Sequence, residues 1–216
     1  MNIWGKTLFK GQSQINGEVK IVEYFGGNRR LFASKFAQSR TLDKNGRSEF
    51  CWDAFVDVAR GLDEGSSILI LGLAAGTGAS SLRQTHPKVE IDGVEIDPLM
   101  VELGNKYFDL EKAKVNIFLE DAARFVEKAN KKYDLIFVDV FVGGEVPSFV
   151  FRSDFIEKLK DLLKPTSKVI FNKIYNNLDE AKEIKSFFSK HFKITKEEHN
   201  PNRRIPGNLI LVGEPA

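Results

Sequence analysis

The sequence predicts an α/β protein: a seven-stranded, mostly parallel, Rossmann-like sheet with helices on both faces, preceded by a small N-terminal β-hairpin region. Three observations predict it. From Ile68 onward, short apolar runs alternate with helix-forming stretches, as repeated β-α units require. The run Asp134–Phe141 is almost continuously apolar, as in a strand covered on both faces. The last two strand-like runs are joined by a polar loop, 199–207, too short for a crossover helix, so they are expected to pair antiparallel.

Each element has its own signal. Glu18–Tyr24 alternates apolar and polar residues, Gly26-Gly27-Asn28 turns the chain, and Arg30-Leu31-Phe32-Ala33 returns it as a hairpin. These belong to a small β region, residues 1–48. The larger unit, 49–216, opens with a helix expected over Glu49–Gly61, with Phe50, Ala54 and Val58 on one stripe and Gly61 as its stop. Strands follow at Ile68–Leu73, Val89–Asp97, Val115–Leu119 and Asp134–Phe141. Pro98 starts a helix carrying Met100, Leu103 and Tyr107, and Asp121 caps one running to about Ala129. A helix over Ser153–Leu163 is expected to stop before Pro165. Strand Lys168–Ile174, helix Asp179–Lys190 and strands Phe192–Glu198 and Leu209–Gly213 complete the series.

Composition narrows the function classes. The chain has 216 residues, enough for one well-buried core with a modest appendage. Its 32 Lys and Arg against 30 Asp and Glu leave a net charge of +2, which gives no reason to expect a nucleic acid or a membrane as partner. Cys51, the single cysteine, excludes an intrachain disulfide and fits a reducing, cytoplasmic setting. Met1–Lys10 lacks the basic start and apolar run of a signal peptide, and no apolar run approaches the ~18 residues of a membrane span. His86, His191 and His199 lie too far apart to suggest a metal site, so no metal is expected.

The chemistry is concentrated at strand ends, where open α/β sheets bind their ligands. The first strand of the larger unit ends in Gly72-Leu73-Ala74-Ala75-Gly76-Thr77-Gly78, whose small residues let a ligand approach the backbone. The second ends in Val94-Glu95-Ile96-Asp97, with Glu95 19 residues beyond Gly76, a place from which a carboxylate can accept hydrogen bonds from both ribose hydroxyls. The third ends in Glu120-Asp121-Ala122, where Asp121 can hold the exocyclic amine of adenine. Singly, each reads equally well as a turn glycine or a solvated strand end; in this order they predict an adenosyl site. A nicotinamide dinucleotide fits less well, because Ala79-Ser80-Ser81 lacks the third glycine of that fingerprint. The Gly-Lys-Ser/Thr ending of a nucleotide triphosphate loop is also missing. A sulfonium cofactor has no phosphate to cradle, so the turn suits S-adenosylmethionine or its decarboxylated form.

These residues, with Tyr133-Asp134-Leu135-Ile136-Phe137-Val138-Asp139, resemble the spermidine synthase family. The resemblance extends upstream through Arg29-Arg30-Leu31, Gln38-Ser39 and Glu49-Phe50-Cys51-Trp52, and so covers nearly the whole chain. It implies the class I methyltransferase fold and transfer of an aminopropyl group from decarboxylated S-adenosylmethionine to an amine by direct displacement. The product would be methylthioadenosine, or S-adenosylhomocysteine if S-adenosylmethionine is the donor. Gly72, Gly76 and Gly78 would shape the cofactor turn, with Gln38, Glu95, Asp121 and Ala122 around the cofactor. Asp139 would orient the acceptor ammonium and take its proton, since an amine must be neutral to attack. Three departures stand out. The family's second acid after the fourth strand is Val142 here, its tyrosine in the first helix is Trp52, and a later histidine is Val58. Trp52, Phe141 and Val142 are thus expected to line a more apolar acceptor pocket, suited to an acceptor with fewer charges than a polyamine. The resemblance also implies a homodimer.

Other readings share part of this evidence. A small-molecule methyltransferase would use the same fold and cofactor. A metal-dependent O-methyltransferase would use Asp139 and Asn172 as ligands, but Phe171 stands where it wants an acid. A nucleic-acid methyltransferase would show Asn/Asp-Pro-Pro-aromatic where this chain has Asp139-Val140-Phe141-Val142. Its lysines, Lys128, Lys131 and Lys132, are better read as a solvated helix end, and Arg203-Arg204 as loop residues. A non-catalytic adenosyl-binding module would explain the lost acid, tyrosine and histidine. Gly143-Gly144 reads as a loop hinge or a simple turn, and Cys51 as a packed thiol.

Overall fold

Two sheets form from these patterns. The computed structural model describes residues 5–34, 36–48, 51–199 and 207–215. Strands β1 (Lys6–Ser13), β2 (Gly17–Glu23), β3 (Arg29–Ala33) and β4 (Phe36–Arg40) make a four-stranded antiparallel sheet in that order. The expected hairpin is its central pair, with Val19 opposite Ala33 and Glu23 opposite Arg29. β1 and β4 have no sequence signal of comparable strength: Lys6, Lys10 and Gly11 interrupt one, and Gln38-Ser39-Arg40 makes the other polar. Val19, Ile21, Leu31 and Ala33 face inward, where Met100, Leu103 and Ala75 of the larger unit cover them.

Next come α1 (Trp52–Ala59), β5 (Ser67–Leu71), α2 (Thr77–Thr85), β6 (Glu90–Glu95), α3 (Pro98–Phe108) and β7 (Asn116–Leu119). They are followed by α4 (Ala122–Lys128), β8 (Tyr133–Val138), α5 (Ser153–Asp161), β9 (Leu163–Tyr175), α6 (Leu178–Ser189), β10 (Phe192–His199) and β11 (Gly207–Pro215). The first helix ends at Ala59, two residues before its expected stop at Gly61. Its expected start, Glu49-Phe50, lies outside the described residues, as does Arg203-Arg204. The helix expected to reach Leu163 stops at Asp161, and the next strand already begins at Leu163 and runs through Pro165. Proline is tolerated there because Pro165 and Thr166 are exposed, where the β8–β9 register shifts.

The second sheet has seven strands in the order β10-β11-β9-β8-β5-β6-β7. β9, β8, β5, β6 and β7 run parallel, and β11 is antiparallel to both β9 and β10. α1 and α2 cover one face and α4, α5 and α6 the other. Aromatic rings fill both layers: Phe55 stacks on Phe137 at 4.1 Å on the first, and Phe171 on Phe188 at 3.8 Å on the second. No described helix is long and apolar enough to cross a membrane. The three clustered lysines have separate partners: Glu120 for Lys128, Asp92 for Lys131 and the Asp161 carbonyl for Lys132.

Candidate active site

After β5–β6–β7 the chain crosses to the opposite side of β5 to lay down β8. Loops leaving β5 and β8 therefore diverge, and a crevice opens at the carboxyl ends of these strands. Three connected cavities occupy it. The largest, about 160 Å³, runs between Glu95-Ile96, Glu120-Asp121-Ala122 and the loop 140–149. A narrow neck joins Gly72, Ala74 and Glu95 to Asp139, roofed by Asn16 and Gln38. Beyond it, about 50 Å³ is enclosed by Phe36, Trp52, Phe141 and Ile174 with Asn172 and Asn208. Phe141 lines all three.

The glycine turn has the shape it does because side chains would not fit. Gly72 has φ +89°, and a Cβ there would lie 2.2 Å from the Asp139 carbonyl oxygen. A Cβ on Gly76, at φ +88°, would lie 2.3 Å from Leu110 Cδ1. Gly72→Ala should therefore lower stability by about 2 kcal/mol or more, since backbone strain and a backbone clash add; an unchanged melting temperature would refute the fit. Gly78 opens α2 against Phe55 and Trp52 and lines none of the three cavities.

Glu95 is buried, and its carboxylate is already half engaged. One oxygen accepts from the Ala74 N–H at 2.7 Å and the other from the Asp97 N–H at 2.9 Å. Burial pushes its pKa up, against the pull of these two bonds. The carboxylate thus fastens the glycine turn to β6 and keeps its remaining lone pairs facing the neck. Asp121 caps α4, accepting from the Arg124 N–H at 3.0 Å, and also lines the large cavity beside buried Ala122. Val142 lines that cavity beside Phe141 but does not reach the small one, which Phe141 and Trp52 line.

Asp139 follows β8 and stands where the neck meets the small cavity. Its Oδ1 accepts from Asn172 Nδ2 at 2.6 Å and its Oδ2 from Trp52 Nε1 at 3.1 Å. Asn172 in turn accepts from Asn208 Nδ2 at 2.9 Å. Both fixed donors are neutral, and burial outweighs them, raising the Asp139 pKa to about 7. Trp52 cannot exchange a proton, yet it still donates a hydrogen bond to this carboxylate. Cys51 lies in the same cavity near Asn172, and its pKa is pushed up by burial and then by Asp139, so it stays a thiol at neutral pH.

The N-terminal sheet closes the crevice through polar contacts. Asp97 accepts from Ser13 Oγ and from Asn16 Nδ2, and Asn16 Oδ1 accepts from the Gly143 N–H at 3.2 Å. Ser39 Oγ accepts from the Ala75 N–H, and Thr77 bonds the Arg40 backbone in both directions. Gly143-Gly144 forms the tip of a tight turn, Val142 to Glu145, clamped by Asn16. Asn16 and Asn208 escape sequence reading, because each reaches the site only through strand register or sheet docking, and Asn172 enters it only as a candidate metal ligand, where the structure shows a hydrogen-bond donor to Asp139.

The family described as spermine/spermidine synthase domain matches residues 56–212. Curated relatives include both polyamine aminopropyltransferases and methyltransferases acting on protein N-termini or lysine. A probable polyamine aminopropyl transferase of Bifidobacterium longum is 31% identical over 135 residues, 62% of this chain and 30% of the relative. Across the first three such relatives, this chain spans only 26% to 48% of their length. Among solved structures, a probable spermidine synthase from Corynebacterium glutamicum superposes with a TM-score of 0.78 at 21% identity, covering 98% of this chain and 80% of that one. Human methyltransferase-like protein 13, solved with SAH, gives 0.62 at 23% identity, covering 78% and 82%. At these identities the two structures establish the fold.

Proposed function

The chain belongs to the spermine/spermidine synthase domain family, and on that premise we propose that it is a transferase that moves an aminopropyl group from decarboxylated S-adenosylmethionine to a small amine. The observation that carries this reading is Asp139. A single carboxylate, oriented by Asn172 and Trp52, stands between a cavity fit for adenosine and a small one walled by Phe36, Phe141 and Ile174.

The crevice fits an adenosyl group on its own terms. Gly72 lines both the neck and the large cavity, where its missing Cβ lets the Asp139 backbone pack beside it. Glu95 offers acceptor lone pairs for ribose hydroxyls, and Asp121, with Ala122 beside it, faces the adenine end. When bound, such a cofactor supplies an electrophilic carbon next to a sulfonium sulfur, which leaves with the electron pair. The chain's own residues do the rest. Asp139 binds the acceptor ammonium, turns its nitrogen toward the neck and takes the proton it must shed. Phe141 and the docked N-terminal sheet exclude water from the junction. Asp139 is the only carboxylate lining the small cavity among the described residues, and Val142 offers no second one. That favours an acceptor carrying one cationic amine and an apolar body over a dicationic polyamine. A homodimeric, cytoplasmic enzyme with no metal completes the reading.

Calorimetric titration with S-adenosylmethionine, its decarboxylated form and methylthioadenosine tests it. Tightest binding of the decarboxylated form, followed by turnover with monoamines, is the expected result. Preference for S-adenosylmethionine would replace the reading by methyl transfer, the activity named for several relatives, and binding of none of the three would leave a non-catalytic module.

A further inference from the structure

Asn208 has no part in the chemistry above, yet it holds one end of a row of side-chain amides. β11 lies antiparallel beside β9, with Asn208 opposite Ile174 and Ile210 opposite Asn172, so all four share one face of the sheet. It is the face of Ile170 and Ile210, under α1. On the other side of β9, Val138 of β8 stands opposite Phe171, which sets Asp139 beside Asn172. Three side chains therefore meet in line. Asn208 Nδ2 donates to Asn172 Oδ1 at 2.9 Å, and Asn172 Nδ2 donates to Asp139 Oδ1 at 2.6 Å. The same Asn172 nitrogen lies 3.6 Å from Cys51 Sγ, so its second hydrogen is directed as well.

A primary amide has a donor end and an acceptor end of nearly equal shape, and turning it over exchanges them. An ionised Asp139 asks Asn172 for an N–H. Once Asp139 has taken the acceptor's proton it becomes a donor, and the Asn172 carbonyl is then its better partner. An amide free to turn would follow the proton, stabilise the neutral acid and hold it there. Asn208 opposes that turn, because a reversed Asn172 would set N–H₂ against N–H₂. Reversal then requires both amides to turn at once.

We propose that Asn208 is a positioning residue for the transfer reaction: by donating to Asn172 Oδ1 it fixes the sense of the Asn172 amide, so that Asp139 meets an N–H whether or not it carries the proton. The carboxylate is thereby favoured over the acid, and Asp139 returns to its ionised form after each turnover. The titratable groups around Asp139 are Cys51, Glu95 and, from the other face of β9, Lys173. They are the same whichever way the amides point, so a change confined to the amides reads the relay alone.

The inference rests on the reading of Asp139 as the group that takes the acceptor's proton, and the experiment separates the two. Asn208→Leu keeps the bulk and removes the donor, whereas Asn208→Gln carries an amide that can still donate. The Asp139 carboxyl is followed by infrared titration of the ligand-free protein, identified by difference against Asp139→Asn. Its midpoint should rise by about half a unit or more in Asn208→Leu and return at least halfway in Asn208→Gln. The acid limb of kcat/KM should move with it. Each measured against its own high-pH plateau, Asn208→Leu should be about threefold or more slower than wild type at pH 6. A residue that merely filled space would lower the rate by one factor at every pH and leave the midpoint alone. Asn172→Leu supplies a second arm: it should raise the midpoint by itself, and adding Asn208→Leu should then add nothing. No shift in Asn208→Leu, or an equal shift with and without the Asn172 amide, would overturn the relay. If Asn172→Leu fails to fold, the two Asn208 variants decide. Shifted midpoints with no turnover on any amine would leave the relay standing and remove the proposed function instead.

Discussion

Asp139→Asn should abolish useful turnover, by about 10²–10⁴-fold, while changing cofactor affinity less than about threefold. The asymmetry follows from where the carboxylate sits. Its oxygens face Asn172 and Trp52 at the acceptor end of the neck, whereas the cofactor's ribose and adenine are assigned to Glu95 and Asp121. Asparagine retains one acceptor oxygen, but it takes up no proton and turns an N–H₂ toward a donor. The wild-type pH profile carries the same signature. With its pKa raised to about 7, Asp139 holds its proton below that pH and cannot accept another. Hence kcat/KM should fall about tenfold per unit as pH drops below ~7, and the asparagine variant should lose this limb. Steady-state rates from pH 5.5 to 9, beside calorimetric cofactor binding, check both. A variant that turns over normally would take Asp139 out of the chemistry.

Glu95→Ala should weaken cofactor binding by about 2 kcal/mol, close to 30-fold, through loss of two hydrogen bonds to a charged acceptor. The structure adds a second cost. The Ala74 and Asp97 N–H groups lose their acceptor, so the glycine turn loosens and the melting temperature should drop as well. A ligand lacking a ribose hydroxyl separates the two effects. Removing the 2′-hydroxyl of methylthioadenosine should weaken binding to wild type and make little difference to the alanine variant. Equal sensitivity in both proteins would show that Glu95 shapes the turn without touching ribose, and undiminished affinity would end the assignment altogether.

Much of the architecture was legible because the residues that build it signal locally. Leu135–Val138 must be covered on both faces, Pro98 and Asp121 start helices by their own backbone chemistry, and the polar 199–207 loop forces an antiparallel return. Asp139 stood out as a charge closing an apolar run. The rest depends on register and docking, which leave no local trace. Asn172 and Asn208 meet only because β11 inserts between β9 and β10. Asn16 reaches Asp97 and Gly143 from the first hairpin, over a separation no periodicity spans. Lys173 reads as a surface residue on any scale, and Phe151, delivered by the loop after β8, covers it. The helix end at Asp161 and the strand through Pro165 show the opposite case, local signals overridden by sheet pairing.

Phe141 gives the crevice a thermodynamic property beyond its shape. One ring is a shared wall for the large cavity, the neck and the small cavity, so on the proposed assignment donor and acceptor would settle against the same side chain and each would fix it for the other. Whichever binds first meets the entropic cost of ordering that ring, and the second finds it already ordered. The two affinities are therefore linked, and the factor by which the donor tightens the acceptor equals the factor by which the acceptor tightens the donor. An enzyme working as proposed would favour the ternary complex over either half-filled one, and so would protect a reactive sulfonium from water while no amine is in place.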